Sequence, residues 1–216
     1  MTSRPSSVLF GFFLMCVSSI SGAAGRVADG AYFGPLGNFS VTLPNWRALK
    51  IQDRDDENFS IVAFLDRGDL PAPLLSIAAL RLTADLQGLL ADPPERDDAY
   101  RKFLSGFAMP NLFLNVSPAS SVVHQGFVDL NGQRAYLAVV IIPEGHASFR
   151  DGKTGKQADS VSGLLIFHNK SFMYLLRTEM KGLFNSTLNA SSLSSKDLES
   201  MQQKLLQFKN SMKFID

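Results

Sequence analysis

Val161-Ser-Gly-Leu-Leu-Ile-Phe-His-Asn-Lys-Ser-Phe-Met-Tyr-Leu-Leu176 holds two apolar runs on either side of a polar turn near Asn169-Lys170. Two such runs flanking turn residues predict an antiparallel hairpin. Counted from the turn, Leu164, Ile166, Met173 and Leu175 share one face, while Val161, Leu165, Phe167, Phe172, Tyr174 and Leu176 share the other. A sheet wet on one side would alternate apolar with polar. Here both faces are apolar, so these strands are expected at the centre of a sheet covered on both sides.

A second hairpin precedes the first. Leu130-Asn131-Gly132-Gln133 carries the Asn-Gly pair that a two-residue type I′ turn favours. That turn sets Asp129 opposite Arg134, Val128 opposite Ala135, Phe127 opposite Tyr136 and His124 opposite Val139. Upstream, Phe39-Ser-Val-Thr-Leu43 alternates with the period of a strand. Pro44 and Asn45 predict a turn, with Trp46–Gln52 as the return strand and residues 53–58 as a charged turn. Phe59–Leu65 and Leu74–Leu82 read as two more strands. Between them, residues 66–71 carry turn residues, including the tripeptide Arg67-Gly68-Asp69, which is read as an exposed turn.

Two helices complete the pattern. Asp92 is placed to cap the first and Pro93 suits its first position, with Ala99, Tyr100, Phe103, Leu104 and Phe107 on one face. Gly106 and Pro110 are expected to end it. The second is capped by Ser194 or Ser195, with Asp197 and Glu199 near its positive end and an apolar stripe of Leu198, Met201, Leu205, Phe208 and Met212. Two amphipathic helices and a two-sided sheet predict an α+β fold, an antiparallel sheet sandwiched between helices in an α-β-α arrangement. No repeat or long linker divides residues 25–216, which read as a single α+β domain.

The first residues have the three parts of a cleavable signal peptide: Arg4, the apolar run Val8–Val17, and small residues up to Gly25. Small residues at −3 and −1 allow cleavage after Ala23 or after Ala24, so residues 1–24 are expected to be removed. The run is about ten residues, against roughly 20 for a spanning helix, so stable membrane insertion after cleavage is not expected. Cys16, the one cysteine, lies inside the apolar run, which argues against lipid attachment and leaves a cysteine-free mature domain. Stability then rests on the core alone, which about 190 residues can supply. With Arg4 removed, 20 basic residues balance 20 acidic ones. Without a basic cluster, nucleic acid is not expected as a partner.

The order of elements resembles the PsbP-like fold, shared by the extrinsic photosystem II protein, DcrB-like periplasmic proteins and a nuclear Ran-binding protein. Three phrases carry the likeness: Phe39-Ser-Val-Thr-Leu-Pro44-x-Trp46, Val128-Asp-Leu-Asn-Gly-Gln-Arg-Ala135 and Leu205-Leu-x-x-Lys-x-Ser-Met-Lys-Phe214. It covers nearly all of the mature chain at the level of layout. Members of that fold family are mostly non-enzymatic binding or assembly factors. The resemblance therefore implies a binding role and a bacterial, periplasmic setting.

No catalytic constellation stands out. His124, His146 and His168 lack the spacing of a metal site, so no metal and no cofactor are expected. The G-x-S-x-G elbow and the glycine-rich phosphate loops are absent, and Ser162-Gly163 falls in a predicted central strand. The polar stretch Glu144–Asp159 is a long connection between strands, and such loops are often functional. Within it His146, Phe149, Arg150 and Asp151 combine an aromatic ring with hydrogen-bonding neighbours, the ingredients of a contact surface. They are the expected binding residues for a protein partner. Six of ten asparagines lie in Asn-x-Ser/Thr sequons; in a eukaryotic host Asn185 and Asn189 are the expected glycan acceptors. The sequence thus predicts an exported, periplasmic or secreted, non-enzymatic binding domain, an inhibitor or immunity-type partner being one concrete form. A hydrolase with an unrecognised active site and a secreted eukaryotic glycoprotein are the alternatives.

Overall fold

The computed structural model describes residues 25–66, 74–115, 117–130, 132–144, 159–180 and 193–215. The expected signal peptide, the Arg67-Gly68-Asp69 turn, the loop residues His146, Phe149, Arg150 and Asp151, and the sequons at Asn185 and Asn189 lie outside them.

Among the described residues two antiparallel sheets form. The larger has seven strands in the order β4 (Leu49–Asp55), β5 (Phe59–Asp66), β6 (Leu74–Arg81), β10 (Phe172–Met180), β9 (Ser160–Asn169), β8 (Gln133–Ile142) and β7 (Ser121–Leu130). The smaller has four, in the order β1 (Arg26–Ala28), β2 (Ala31–Phe33), β3 (Phe39–Thr42) and β11 (Met212–Phe214). The β9–β10 hairpin occupies the middle of the large sheet, with Asn169 opposite Phe172.

Each face of that hairpin belongs to a separate core, and the division follows the sequence pattern. Leu164, Ile166, Met173 and Leu175 join Leu90, Tyr100, Leu104 and Phe113 under α1 (Ala84–Ala91), α2 (Pro93–Phe103) and a π-helical segment, Leu104–Leu114. Val161, Leu165, Phe167, Phe172, Tyr174 and Leu176 join Phe64, Tyr32, Phe39, Val41 and the stripe of α3 (Ser195–Asn210). The α-β-α reading holds, with one refinement. The second face is covered by α3 and the small sheet together. Tyr32 meets Phe64 edge-on, and Phe39 meets Tyr174 the same way.

Gly163 shows how tightly α3 seats. A Cβ there would collide with Met201 Cγ and lie 3.1 Å from Leu205 Cδ1. Helix and sheet therefore approach to a distance that only glycine permits. The N-terminus of α3 is fixed by a capping box: Ser194 Oγ accepts from the Asp197 N–H, and the Asp197 carboxylate accepts from the Ser194 N–H.

Several local expectations are corrected. Leu49–Asp55 does not return on β3; it pairs with β5, and β3 pairs with β2 and the distant β11. Period-2 alternation marks a strand without naming its neighbour, and Val41 and Phe39 find Met212 and Phe214 across the whole chain. Met212 accordingly lies in a strand, beyond the end of α3. The β1–β2 hairpin turns at Asp29-Gly30, both at positive φ (49° and 72°), an Asp-Gly signal like the Asn-Gly one. Gly106 and Pro110 do not end the helix. The chain continues through them as a π-helix, with Leu104, Ala108, Met109 and Phe113 buried on the sheet. Asn111 Nδ2 donates to the Phe107 carbonyl at 2.8 Å, supplying a bond that α-helical winding would take from the backbone. Asp92 sits at the N-cap of α2 without a side-chain cap bond. Pro93 and Pro94 follow it and offer no N–H to accept.

Gly163→Ala is expected to lower the unfolding free energy by about 1–3 kcal/mol through overpacking against Met201, measured by urea denaturation. An unchanged midpoint would mean that α3 does not rest on β9 as described.

Candidate functional site

The expected binding residues belong to the connection between β8 and β9. Both ends of that connection are described. Ile142 pairs with Ser160, and the Glu144 N–H donates to Asp159 Oδ1 at 2.9 Å, with Glu144 at φ 51°. The segment thus leaves and re-enters between neighbouring central strands. By the strand order, β5 ends, β6 begins and β10 ends at the same edge of the sheet.

Charge is buried at this end of the sheet, where Asp66 at the end of β5 is also buried. Arg177 on β10 lies on the face under the π-helix, with its guanidinium 5.1 Å from the centre of the Phe113 ring. Its Nε donates to Ser162 Oγ at 3.1 Å, and Nη2 meets Glu179 Oε2 at 3.3 Å. The Arg177 and Glu179 side chains are 19% and 11% exposed. Burial pushes the Arg177 pKa down, and the Glu179 carboxylate opposes that shift. Ser160 is wholly buried nearby in sequence on the same strand face, and its Oγ has no partner among the described residues. Ser162 is likewise fully buried and spent on Arg177, so it is no nucleophile. Sequence pattern missed this cluster. Arg177 follows an apolar run and reads as the point where the strand becomes wet.

The opposite end of the sheet holds a tyrosine–histidine pair. Tyr100 Oη lies 2.7 Å from His168 Nδ1, accepts from the His168 backbone N–H at 3.2 Å, and lies 3.4 Å from the Arg134 carbonyl. Burial pushes the Tyr100 hydroxyl up to about 12, so it is a neutral donor. Either tautomer of a neutral His168 satisfies the contact: Nδ1 accepts from the hydroxyl, or Nδ1–H donates to it while the hydroxyl donates to the Arg134 carbonyl. Burial lowers the His168 pKa below the usual imidazole range, and the Arg96 charge lowers it further. Beside this pair, Arg134 forks onto Asp97 through Nε (2.9 and 3.0 Å) and Nη2 (2.7 Å). The hairpin register does set Asp129 opposite Arg134. Asp129, however, accepts from the Gly132 N–H at 2.7 Å and closes the turn. The contacts of Tyr100 and Asp97 thus pin α2 to β8 and β9, which is a structural role.

His124 sits on edge strand β7, next to a register shift after Val122. Among the described residues, no three His, Cys, Asp or Glu side chains converge as a metal site would require. No helix among them is long and apolar enough to cross a membrane. Of the described sequons, Asn58 and Asn115 are exposed. Asn38 is buried, and its amide donates to Tyr174 Oη at 3.1 Å.

The sequence matches no protein-family model and no curated protein. Solved structures share its layout. Ran-binding protein Mog1p of Saccharomyces cerevisiae is 12% identical, with a TM-score of 0.47 over 83% of this chain and 92% of that one. Cyanobacterial PsbP (CyanoP) of Synechocystis is 10% identical, with a TM-score of 0.44 over 82% and 86%. A Bacteroides thetaiotaomicron protein is 11% identical, with a TM-score of 0.45 over 87% of this chain and 48% of that one, so this chain spans about half its length. The resemblance to the PsbP-like fold is one of fold alone.

His168 binds its proton less readily in the fold than in the unfolded chain. Its contribution to stability is therefore complete above about pH 6.5 and is lost as pH falls from there towards the folded pKa. His168→Gln should flatten the decline of the thermal midpoint between about pH 7 and pH 5, followed by circular dichroism. A slope equal to that of the parent would place the titration elsewhere.

Proposed function

We propose that this chain is an exported, non-enzymatic binding domain that recognises a protein partner with the loop-bearing end of its seven-stranded sheet. The observation that carries the reading is the buried Arg177–Ser162–Glu179 set. Two charges taken out of water rarely add net stability over apolar side chains of similar volume. A fold with two large apolar cores has no need of them for cohesion. Their position suits a directional, hydrogen-bonded brace at the edge from which residues 145–158 depart. The π-helix that lies over Arg177 supports the same reading, since such windings recur at functional positions. On this reading His146, Phe149, Arg150 and Asp151 supply the contacts and the brace holds the end that presents them. The signal-like pattern of residues 1–24 supports export, and the compartment would be the periplasm or the exterior.

The test is a pulldown of the processed protein from the envelope fraction of its own host, beside a variant lacking Ser148–Lys156. One stoichiometric protein is expected with the parent and is lost with the deletion, while the thermal midpoint of the deletion stays near that of the parent. Equal recovery with both proteins would overturn the loop assignment, and intact mass showing residues 1–24 retained would overturn export.

A further inference from the structure

Gly25 stands one residue before the first rung of the β1–β2 ladder, Arg26 opposite Phe33. Its nitrogen is taken by the other sheet. Asp53 Oδ2 on β4 accepts from it at 2.9 Å, and the same oxygen accepts from Tyr32 Oη at 2.8 Å. Only glycine fits this place, because a Cβ there would collide with Tyr32 Oη and Cζ. One side chain from each sheet thus fixes the position of this nitrogen.

Charge around it does not balance. Asp53 and Asp55 stand opposite Val62 and Ser60, both buried, so the two carboxylates share the face of β4 that meets Tyr32. Burial pushes the Tyr32 hydroxyl well above the usual phenol range, and the hydrogen bond to Asp53 and the charges of Asp53 and Asp55 add to that. The hydroxyl is a neutral donor and offsets neither charge. Among the described residues no lysine or arginine pairs with either carboxylate. Arg54 lies on the other face of β4, opposite Ile61, and the Arg26 guanidinium sits over the Phe33 ring at 4.9 Å. Two like charges on one face call for a cation, and the nitrogen already seated on Asp53 becomes one if the chain begins there.

We infer that the export signal is cut between Ala24 and Gly25, and that the α-ammonium so released is the cation Asp53 receives. Gly22 and Ala24 supply the small residues at −3 and −1. The cut, made by a signal peptidase of the host, adds water across one peptide bond. Ala24 keeps the new carboxylate and leaves with the signal, while the Gly25 nitrogen takes up protons and becomes an ammonium. A cut after Ala23 would leave that nitrogen a neutral amide and set the new charge one residue, about 3.8 Å, further along the chain. Processing at Gly25 therefore ties the small sheet to edge strand β4 by charge as well as by hydrogen bond. The inference rests on the export reading and on neither the β8–β9 loop nor the buried brace.

The test begins with the intact mass of the protein recovered from the envelope fraction of its own host, where a chain starting at Gly25 is expected. The Gly25 α-amine is then titrated through its ¹³Cα shift. Its midpoint should lie above about 8, the upper end of the usual range for that group, because the opposite charge favours the ammonium. Asp53→Asn should return it to about 7.7–8.0. Asp53 is exposed, so about 1 M salt should lower the midpoint of the parent in the same direction without any substitution. A chain that keeps Met1 would remove the export reading and this inference with it. A processed chain starting at Ala24, or at any residue other than Gly25, would refute the cut and leave export standing. A midpoint that neither Asp53→Asn nor salt moves would refute the ion pair.

Discussion

Leu164, Leu165, Ile166 and Phe167 are four consecutive residues with no exposed surface. Consecutive residues in a strand point to opposite sides, so a sheet carrying this run must be covered on both faces. Each large apolar side chain taken fully from water stabilises the fold by about 1.5–3 kcal/mol. A single-layer sheet would forfeit half of that from this strand and from its partner β10, where Met173, Tyr174, Leu175 and Leu176 repeat the pattern. Most of the rest of the chain answers this one demand. The α1, α2 and π-helical segment covers one face, and α3 with the small sheet covers the other.

The two covers are held by different means. On one side the fit is steric: α3 rests on Gly163, and the small sheet locks in through the aromatic contacts of Tyr32, Phe39 and Phe214 with Phe64, Tyr174 and Phe167. Tyr32 Oη also donates to Asp53 at 2.8 Å, which ties that sheet to edge strand β4. On the other side polar pins supplement packing. Tyr100 bonds His168, and Asp97 takes the fork of Arg134. Polar groups at sheet ends of this kind fix orientation more than they add net stability. One end of these strands is braced by buried charge, and the Tyr100–His168 pair pins the other.

What is legible in the sequence follows from which signals are local. The Asn-Gly hairpin is legible to the residue, because turn chemistry fixes register: Asp129 does face Arg134. The second hairpin turns at Lys170-Ser171, one residue beyond Asn169-Lys170, with Asn169 opposite Phe172. The division of apolar residues between the two faces of β9 and β10 is legible for the same reason. Partners chosen across the chain are not, so the local pattern pairs β3 with Leu49–Asp55 when it belongs with Met212–Phe214. Helix α1 escapes the pattern because only Leu90 is buried and Leu89 stays exposed, which leaves a weak stripe. The passage of the helix through Gly106 and Pro110 runs against propensity, overridden by burial of Ala108, Met109 and Phe113. The candidate sites are the least legible. Arg177 looks like a strand end, and nothing local shows that Asn38 will meet Tyr174, 136 residues away.

The β9–β10 hairpin, buried on both faces, is the element on which the fold closes. Native-state hydrogen exchange tests this directly. The amides of Leu164–Phe167 and Tyr174–Leu176 should exchange only through global unfolding, with a free energy equal to that measured by denaturant. The edge strands β4 and β7 should exchange through smaller openings. If those central amides exchanged through a sub-global opening, while α2 or α3 stayed protected, the fold would depend on another element and the hairpin would not be its closing piece.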